Sequence, residues 1–329
     1  MRYSVLTPVE RRRRRRRGVR PLALLVLAAA LGAAVWVTTT RVRSHDAPAA
    51  PAPRKTAPPV TAAATPKTEP KVAPVLLTTP TAPRHGFPSL TSAAAILVDG
   101  SSGEVLWEKS PHQRRAIAST TKIMTGMLAL ERLSPDQIVT VAPGVSRTPL
   151  VREGLRTGEK VKAWKLLDGL LIFSGNDDAL ALAEAAAGSR RAFLKLMNQR
   201  AQELGLHDTH FSSVSGVIDE GNYSSAWDLA ALTRQAMADP RFRRIVSTRI
   251  ARVPWSAPTF GKVYVNKNDL LRSYRGADGV KTGWTTIAGH CLVASARRDG
   301  VHLIAVFLHA TDPYRDARRL FNYGFGLSR

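Results

Sequence analysis

The chain has 329 residues, 44% hydrophobic and 22% charged, an ordinary balance for one large globular domain or two small ones. Its formal net charge is +23, and the first 20 residues carry +8 of it: nine arginines, seven of them the run Arg11 to Arg17, against the single acid Glu10. Cys291 is the only cysteine, which excludes an internal disulfide.

A run of arginines can mark a nucleic-acid-binding segment, but the residues after it point to a membrane. Residues 21–40, PLALLVLAAALGAAVWVTTT, carry no charge. As a helix they rise about 30 Å, the thickness of a bilayer core. A basic flank ahead of an apolar span is the positive-inside arrangement. Residues 1–20 therefore read as a cytoplasmic segment, residues 21–40 as a transmembrane signal-anchor, and the rest as exported. Topology accounts for the arginines, and no nucleic-acid partner is expected. A cleaved signal peptide is the alternative, but the run is long for one and no small-x-small site closes it. No cysteine follows the span, which argues against a lipoprotein. Residues 41–85 read as a disordered linker: residues 46–85 hold ten of the 21 prolines, among many alanines and threonines. Such a segment buries too little apolar surface to fold. Forty residues at about 3.1 Å each reach on the order of 100 Å.

The folded domain is expected over residues 86–329. AAILVD (94–99) and GEVLWEK (103–109) read as strands joined by a Gly/Ser turn. TTKIMTGMLALERL (120–133) has helical apolar spacing. WKLLDGLLIFSG (164–175) and NDDALALAEAAAG (176–188) read as two helices broken at Ser174-Gly175. SRRAFLKLMNQRAQELG (189–205) and SSAWDLAALTRQAMAD (224–239) are two more, the latter with Ser225 and Asp228 placed as a capping box. After a loop-rich region, HCLVASARR (290–298) and VHLIAVFLHA (301–310) alternate like strands, and DPYRDARRLFNYGF (312–325) closes as a helix. Strands at both ends around helices predict an α/β (α+β) domain: an antiparallel sheet built from both termini, flanked by helices, with a helical insert.

No His-Glu-x-x-His, cysteine pair, P-loop or Gly-x-Ser-x-Gly elbow occurs. His207, Asp208 and His210 stand close together, but no third or fourth ligand is suggested, so they read as a turn after the helix ending at Leu204; no metal and no other cofactor is expected. Three short motifs remain, in this order: Ser119-Thr120-Thr121-Lys122, Ser174-Gly175-Asn176 and Lys281-Thr282-Gly283. Each alone is weak. Together and in order they are the signature of serine acyl-transfer enzymes of the penicillin-interacting kind. The chemistry follows from the residue types. Ser119 and Lys122, three apart at a helix start, project from one face, where the backbone dipole disfavours a cation. Burial and a second cation such as Lys281 lower a lysine pKa, so Lys122 can deprotonate Ser119. Ser174 can relay the proton to the leaving amine. Asn176 has a donor and an acceptor for a peptide amide. Lys281 and Thr282 offer a charge and a hydroxyl for a terminal carboxylate. Gly283 lets a strand backbone come close to substrate.

The words around the motifs, IASTTKIMT, LLIFSGNDDALALAE and GADGVKTGWTTIAGHCLVASA, resemble the D-alanyl-D-alanine carboxypeptidases, the low-molecular-mass penicillin-binding proteins of serine peptidase family S11. The resemblance runs from about Ser92 to Phe325. It implies a serine DD-peptidase/β-lactamase-like fold and removal of the terminal D-alanine from peptidoglycan stem pentapeptides through an acyl-enzyme on Ser119. It implies β-lactam antibiotics as inhibitors and cell-wall remodelling as the setting, with the catalytic domain outside the bacterial cytoplasmic membrane. It also implies an oxyanion hole formed by the backbone N–H groups of Ser119 and Trp284.

Two departures stand out. Where the family commonly reads Phe-x-Asn-x-x-Gly-Leu, this chain reads FSSVSGV, with Ser213 in the asparagine's place, which puts the local loop packing in question. Many relatives carry a second, β-rich domain and a C-terminal amphipathic anchor; here the N-terminal span is expected to replace that anchor. Arg315 reads equally as a carboxylate ligand or as a solvated residue at the start of the last helix. A class A β-lactamase needs a deacylating glutamate, often in a Glu-x-x-Leu-Asn context, and no such stretch is present. A DD-endopeptidase or a cross-linking transpeptidase would use the same acyl-enzyme, and the motifs fit either. A catalytically decayed wall-binding protein is disfavoured by three intact motifs.

Overall fold

The computed structural model describes residues 76–79, 89–217, 221–255 and 260–327. The first apolar run forms β1 (Ala94–Asp99), which turns back as β2 (Val105–Lys109). A short 3-10 turn, Ala118–Thr121, leads without a break into α1 (Lys122–Arg132). A small hairpin of β3 (Ile138–Thr140) and β4 (Lys160–Lys162) precedes α2 (Ala163–Asp168), which widens into a π turn over Gly169–Phe173. The helices α3 (Asn176–Ala187), α4 (Arg190–Glu203), α5 (Ala226–Ala238) and α6 (Pro240–Ser247) come next. A second hairpin, β5 (Ile250–Val253) with β6 (Lys262–Val265), and the short α7 (Leu270–Ser273) complete the insert. The chain then returns to the sheet as β7 (Ala277–Thr285), β8 (Gly289–Arg298) and β9 (Val301–Ala310), and closes with α8 (Pro313–Leu327).

The central sheet is antiparallel, in the order β2-β1-β9-β8-β7, so the first and last strands of the domain meet at β1 and β9. That is the sheet from both termini expected from the sequence, with the helices as its insert. Period-2 alternation sends Ile96 and Val98 into the larger core, shared with α1 and α5, and Ala95 and Leu97 into the smaller core beneath α8. Both faces of the sheet are therefore covered. For that reason β9 is buried without interruption from His302 to Leu308, where the sequence reading expected alternation. Ala317, Leu320, Phe321 and Phe325 form the apolar stripe that seats α8, and a buried phenylalanine of this kind stabilises by about 1.5–3 kcal/mol.

Local chemistry sets the helix ends. Ser225 caps α5 by accepting from the Asp228 N–H at 3.1 Å. The Asp228 carboxylate does not complete the capping box. It accepts instead from Asp208 N and Thr209 Oγ1, both at 2.7 Å, and so ties down the turn at 207–210. The hairpins of three- and four-residue strands and α6 were not foreseen, because pieces this short carry no readable period.

The boundary expected at residue 86 needs correction. Leu77 is buried in the larger core, the Thr78 N–H donates to Gly103 O at 3.1 Å, and the Val105 N–H donates to Thr78 O at 2.8 Å. Arg234 Nη1 donates to Leu76 O at 3.0 Å. One apolar side chain and an open strand edge suffice to bind this piece of a proline-rich stretch. Residues 1–20, the expected span 21–40 and the rest of the expected linker, save Leu76–Thr79, lie outside the described residues. Among the described residues no helix is long and apolar enough to cross a membrane.

Candidate active site

Ser119 sits in the 3-10 turn ahead of α1, not in the α-helix proper. In a 3-10 turn residues three apart eclipse, and Lys122 Nζ lies 3.0 Å from Ser119 Oγ. The turn is pressed against the loop at 213–216. Gly216 has φ +76°, and a Cβ there would stand 2.0 Å from Ala118 O, so only glycine permits the approach. The approach delivers Ser215 O to Lys122 Nζ at 3.1 Å. From the other side Asn176, the first residue of α3, presents Oδ1 to Nζ at 2.8 Å, while its Nδ2 donates to Pro149 O at 3.1 Å and fixes the amide orientation. A neutral amine has two N–H donors and one lone pair. With Asn176 Oδ1 and Ser215 O taking the donors, the lone pair of Lys122 is left facing the Ser119 hydroxyl.

The electrostatics favour that neutral form. Lys122 is fully buried and its pKa is driven well below the usual lysine value, by burial first and then by Lys281 and Lys267. The acids nearest to it do not restore the charge. Asp178, also fully buried, has no hydrogen-bond partner for either carboxyl oxygen among the described residues, and burial together with Glu153 and Asp177 pushes its pKa well up, which disfavours its anion. Asp177 is engaged elsewhere: it accepts from the N–H groups of Glu153, Gly154 and Leu155 at 2.9, 2.8 and 3.1 Å, pinning the loop beside the cleft.

Ser174 ends the π turn in a left-handed conformation, φ 73° and ψ 35°, which turns it into the same cleft as Ser119. The third motif lies on β7, the edge strand, whose outer edge has no strand partner among the described residues. A Cβ on Gly283 would lie 2.9 Å from Ser119 N and 3.1 Å from Ile117 O. Glycine therefore lets β7 pass directly beside the Ser119 amide, next to Trp284. Thr282, Gly283 and the 60% exposed Trp284 line the cleft, a space of about 360 Å³. Lys281 is placed differently from the expectation. It is buried behind the wall, its Nζ donates to Thr282 O at 3.0 Å, and burial followed by Lys267 brings its pKa down to about 7. The lysine that lines the cleft is Lys267, with its Nζ 5.1 Å from the Phe173 ring centre and its pKa lowered by burial.

Sequence reasoning missed Lys267, Ser215 and Asn222. The first is held by its neighbours: Asn266 Nδ2 donates to Val246 O and Thr248 O, and Asn268 Nδ2 to Gly279 O. Asn222 Oδ1 accepts from the N–H groups of Ser212 and Ser213, and its Nδ2 donates to Thr121 Oγ1. With Ser213 Oγ accepting from Gly216 N at 3.0 Å, it organises the loop that the Ser213 departure put in question. Arg315 is exposed on α8, and its neighbours Pro313 and Tyr314 line the cleft in its stead. Of the His207–His210 group, Asp208 pairs with Arg114 at 3.0 Å and His112 at 3.3 Å. Among the described residues no cluster of three metal-ligating side chains occurs.

A serine hydroxyl facing the lone pair of a buried amine, beside the edge strand β7 and the lysines Lys267 and Lys281, can attack a carbonyl whose neighbour carries a negative charge. Comparison with known proteins agrees with this geometry. Residues 78–312 match the model of peptidase family S11, D-alanyl-D-alanine carboxypeptidase. The D-alanyl-D-alanine carboxypeptidase DacF of Bacillus subtilis (strain 168) is 36% identical over 227 residues, covering 67% of this chain and 58% of that one. The D-alanyl-D-alanine carboxypeptidase of Streptomyces sp. (strain K15) is 36% identical over 263 residues, covering 73% and 89%. Among solved structures, a D-alanyl-D-alanine carboxypeptidase from Mycobacterium tuberculosis H37Rv superposes with a TM-score of 0.70 at 31% identity, over 74% of this chain and 94% of that one. A serine-to-alanine variant of the Streptomyces K15 DD-transpeptidase gives 0.69 at 34% identity, over 73% and 99%. The chain belongs to the D-alanyl-D-alanine carboxypeptidases of peptidase family S11.

Proposed function

We propose that the protein is a serine-type D-Ala-D-Ala carboxypeptidase that removes the terminal D-alanine from peptidoglycan stem pentapeptides. The observation that carries this reading is the 3.0 Å contact between Ser119 Oγ and Lys122 Nζ, with Lys122 fully buried and no ionised acid bonded to it. Neutral Lys122 takes the Ser119 proton as Oγ attacks the penultimate D-alanine carbonyl. The oxyanion is held by the N–H groups of Ser119 and Trp284, worth about 3–4 kcal/mol for one such donor. The proton passes from Lys122, through Ser174, to the departing amine. Lys267 and Thr282, with Lys281 behind them, hold the substrate carboxylate, and Asn176 the penultimate amide. Water, deprotonated by Lys122, then hydrolyses the Ser119 ester. A β-lactam, which mimics the acyl-D-Ala-D-Ala end, acylates the same oxygen and inhibits the enzyme.

A transpeptidase differs only in the final acceptor, an amine instead of water, and the Streptomyces K15 relative carries both descriptions. The full-length protein in detergent, incubated with a stem pentapeptide, is expected to release one alanine by mass spectrometry. A cross-linked dimer would transfer the assignment to transpeptidation. Cleavage by Ser119→Ala would overturn the mechanism. The same reading makes residues 21–40 a single-pass anchor in the bacterial cytoplasmic membrane, with residues 1–20 inside and the domain outside. It is supported by twenty uncharged residues behind a basic flank. Recovery of the intact chain in the soluble fraction of cells would remove it.

A further inference from the structure

A cavity of about 620 Å³ lies away from the cleft, where β8 ends and β9 begins, at Arg297 and His302. His290, at the cleft, is seven residues back along β8, about 24 Å at 3.4 Å per residue. Three arginines line this cavity: Arg234 from α5, Arg243 from α6 and Arg297 from β8. Among the described residues, only Arg297 of the three has a carboxylate partner, Asp278 at 3.0 Å. Arg234 spends its hydrogen bonds on the carbonyls of Leu76, Gly100 and Ser101, at 3.0, 3.3 and 3.0 Å. Arg243 Nη1 donates to the carbonyls of Met237 and Ala238, at 2.6 and 3.0 Å. Carbonyls orient a guanidinium without neutralising it. Another nearby carboxylate, Asp99, accepts the N–H groups of Ser101 and Ser102 on Oδ1, both at 2.8 Å, and acts on Arg234 through its charge without a hydrogen bond to it. His302, on the floor, adds no charge at neutral pH: burial and then Arg297 lower its pKa to about 4. Three fixed cations thus line one concave space, and two of them are held in place by neutral groups.

We propose that this cavity binds a phosphate-bearing chain, a phosphodiester segment whose anionic oxygens bridge Arg234, Arg243 and Arg297. Guanidinium groups suit phosphate oxygens, and three of them lining one space match a chain of phosphates better than a lone carboxylate. The space is an open groove far larger than one phosphate ion, so a bare phosphate would leave most of it empty. A flat bilayer surface fits less well, because Arg234 is drawn inward by its three carbonyls.

The test uses full-length protein in detergent and a synthetic glycerol-phosphate oligomer, with affinity read by calorimetry. The arginine run at residues 11–17 also attracts polyanions, so the diagnostic quantity is the change between variants that all retain it. Arg243→Gln and Ser101→Glu, the second placing a negative charge at the rim, are each expected to weaken binding about tenfold, the loss of one charge-assisted contact. Arg243→Lys is expected to keep most of it. Peptide cleavage and melting temperature serve as the folding control. If Arg243→Gln proves unstable, Ser101→Glu alone decides. Equal affinity across wild type and variants, or no binding beyond that of the arginine run, overturns the proposal. So does a variant-sensitive association with phosphatidylglycerol vesicles without binding of the oligomer, which would make this end a membrane contact.

Discussion

The two ends of the central sheet are both lined with basic side chains and use them in opposite ways. At the cleft the basic residues are lysines: Lys122 and Lys281 are buried and have their pKa values driven down, in part by the charge of Lys267 beside them. At the other end they are arginines, which stay charged, and two of them, Arg234 and Arg243, take carbonyls as partners. The residue type, more than the sign of the charge, separates a base from a clamp. An amine stripped of water and of counter-charge becomes a proton acceptor, whereas a guanidinium in the same position only becomes a stronger donor.

The sharpest way to break this contrast is Lys122→Arg, which puts a permanent cation beside Ser119. Acylation by penicillin is expected to fall by about 10²–10⁴-fold or more, followed as adduct mass against time. A variant that acylates within tenfold of wild type would mean Lys122 is not the base. Gly283→Ala tests the geometry of the same end. The new Cβ would stand 2.9 Å from a backbone nitrogen that cannot swing away. Overpacking of this kind costs about 1–3 kcal/mol, so a fall in kcat/KM of about 10–100-fold is expected. The contrast is sharpened by Lys267→Gln. Lys267 holds the pKa of Lys122 and of Lys281 down, so removing it lets both rise. Because the active form needs neutral Lys122, the acidic limb of the acylation rate is expected to move to higher pH. A limb that stays put or moves down would rule out that electrostatic role.

The smallest effect expected is on stability, from Asp178→Asn. The folded pKa of Asp178 lies above its unfolded value, because burial and Glu153 penalise the anion. Its contribution is therefore complete below the unfolded pKa, about 3.9, and is lost as pH rises toward the folded one. Asparagine has no such dependence. The melting temperature of the variant relative to wild type is expected to rise from pH 4 to pH 8. A difference independent of pH would mean that Asp178 is ionised in the folded protein.

How much of this was legible in the sequence depended on where each residue draws its position. Ser119 and Lys122 are set by one helical turn, and Ser174 and Asn176 by the break between two helices, so spacing alone revealed them. The sheet from both termini was readable because its strands are long and apolar. Lys267 was not, since its place is fixed by Asn266 and Asn268 bonding to distant carbonyls. Nor was Ser215, which acts through a backbone carbonyl that any residue would supply. The Lys281 side chain was assigned to substrate from its motif, whereas the fold turns it toward Thr282 O and leaves the cleft to Lys267. The segment around Leu77 did carry a signal, two leucines in a row within a proline-rich stretch.

That segment has a practical consequence. Leu76–Thr79 joins the domain beside Gly103 and Arg234, at the end of the sheet remote from Ser119. A protein immobilised on a sensor chip through a handle placed ahead of Leu76 would present its cleft to the flowing solution. Antibiotic capture could then be counted one covalent event at a time, with the attachment chemistry kept away from the nucleophile.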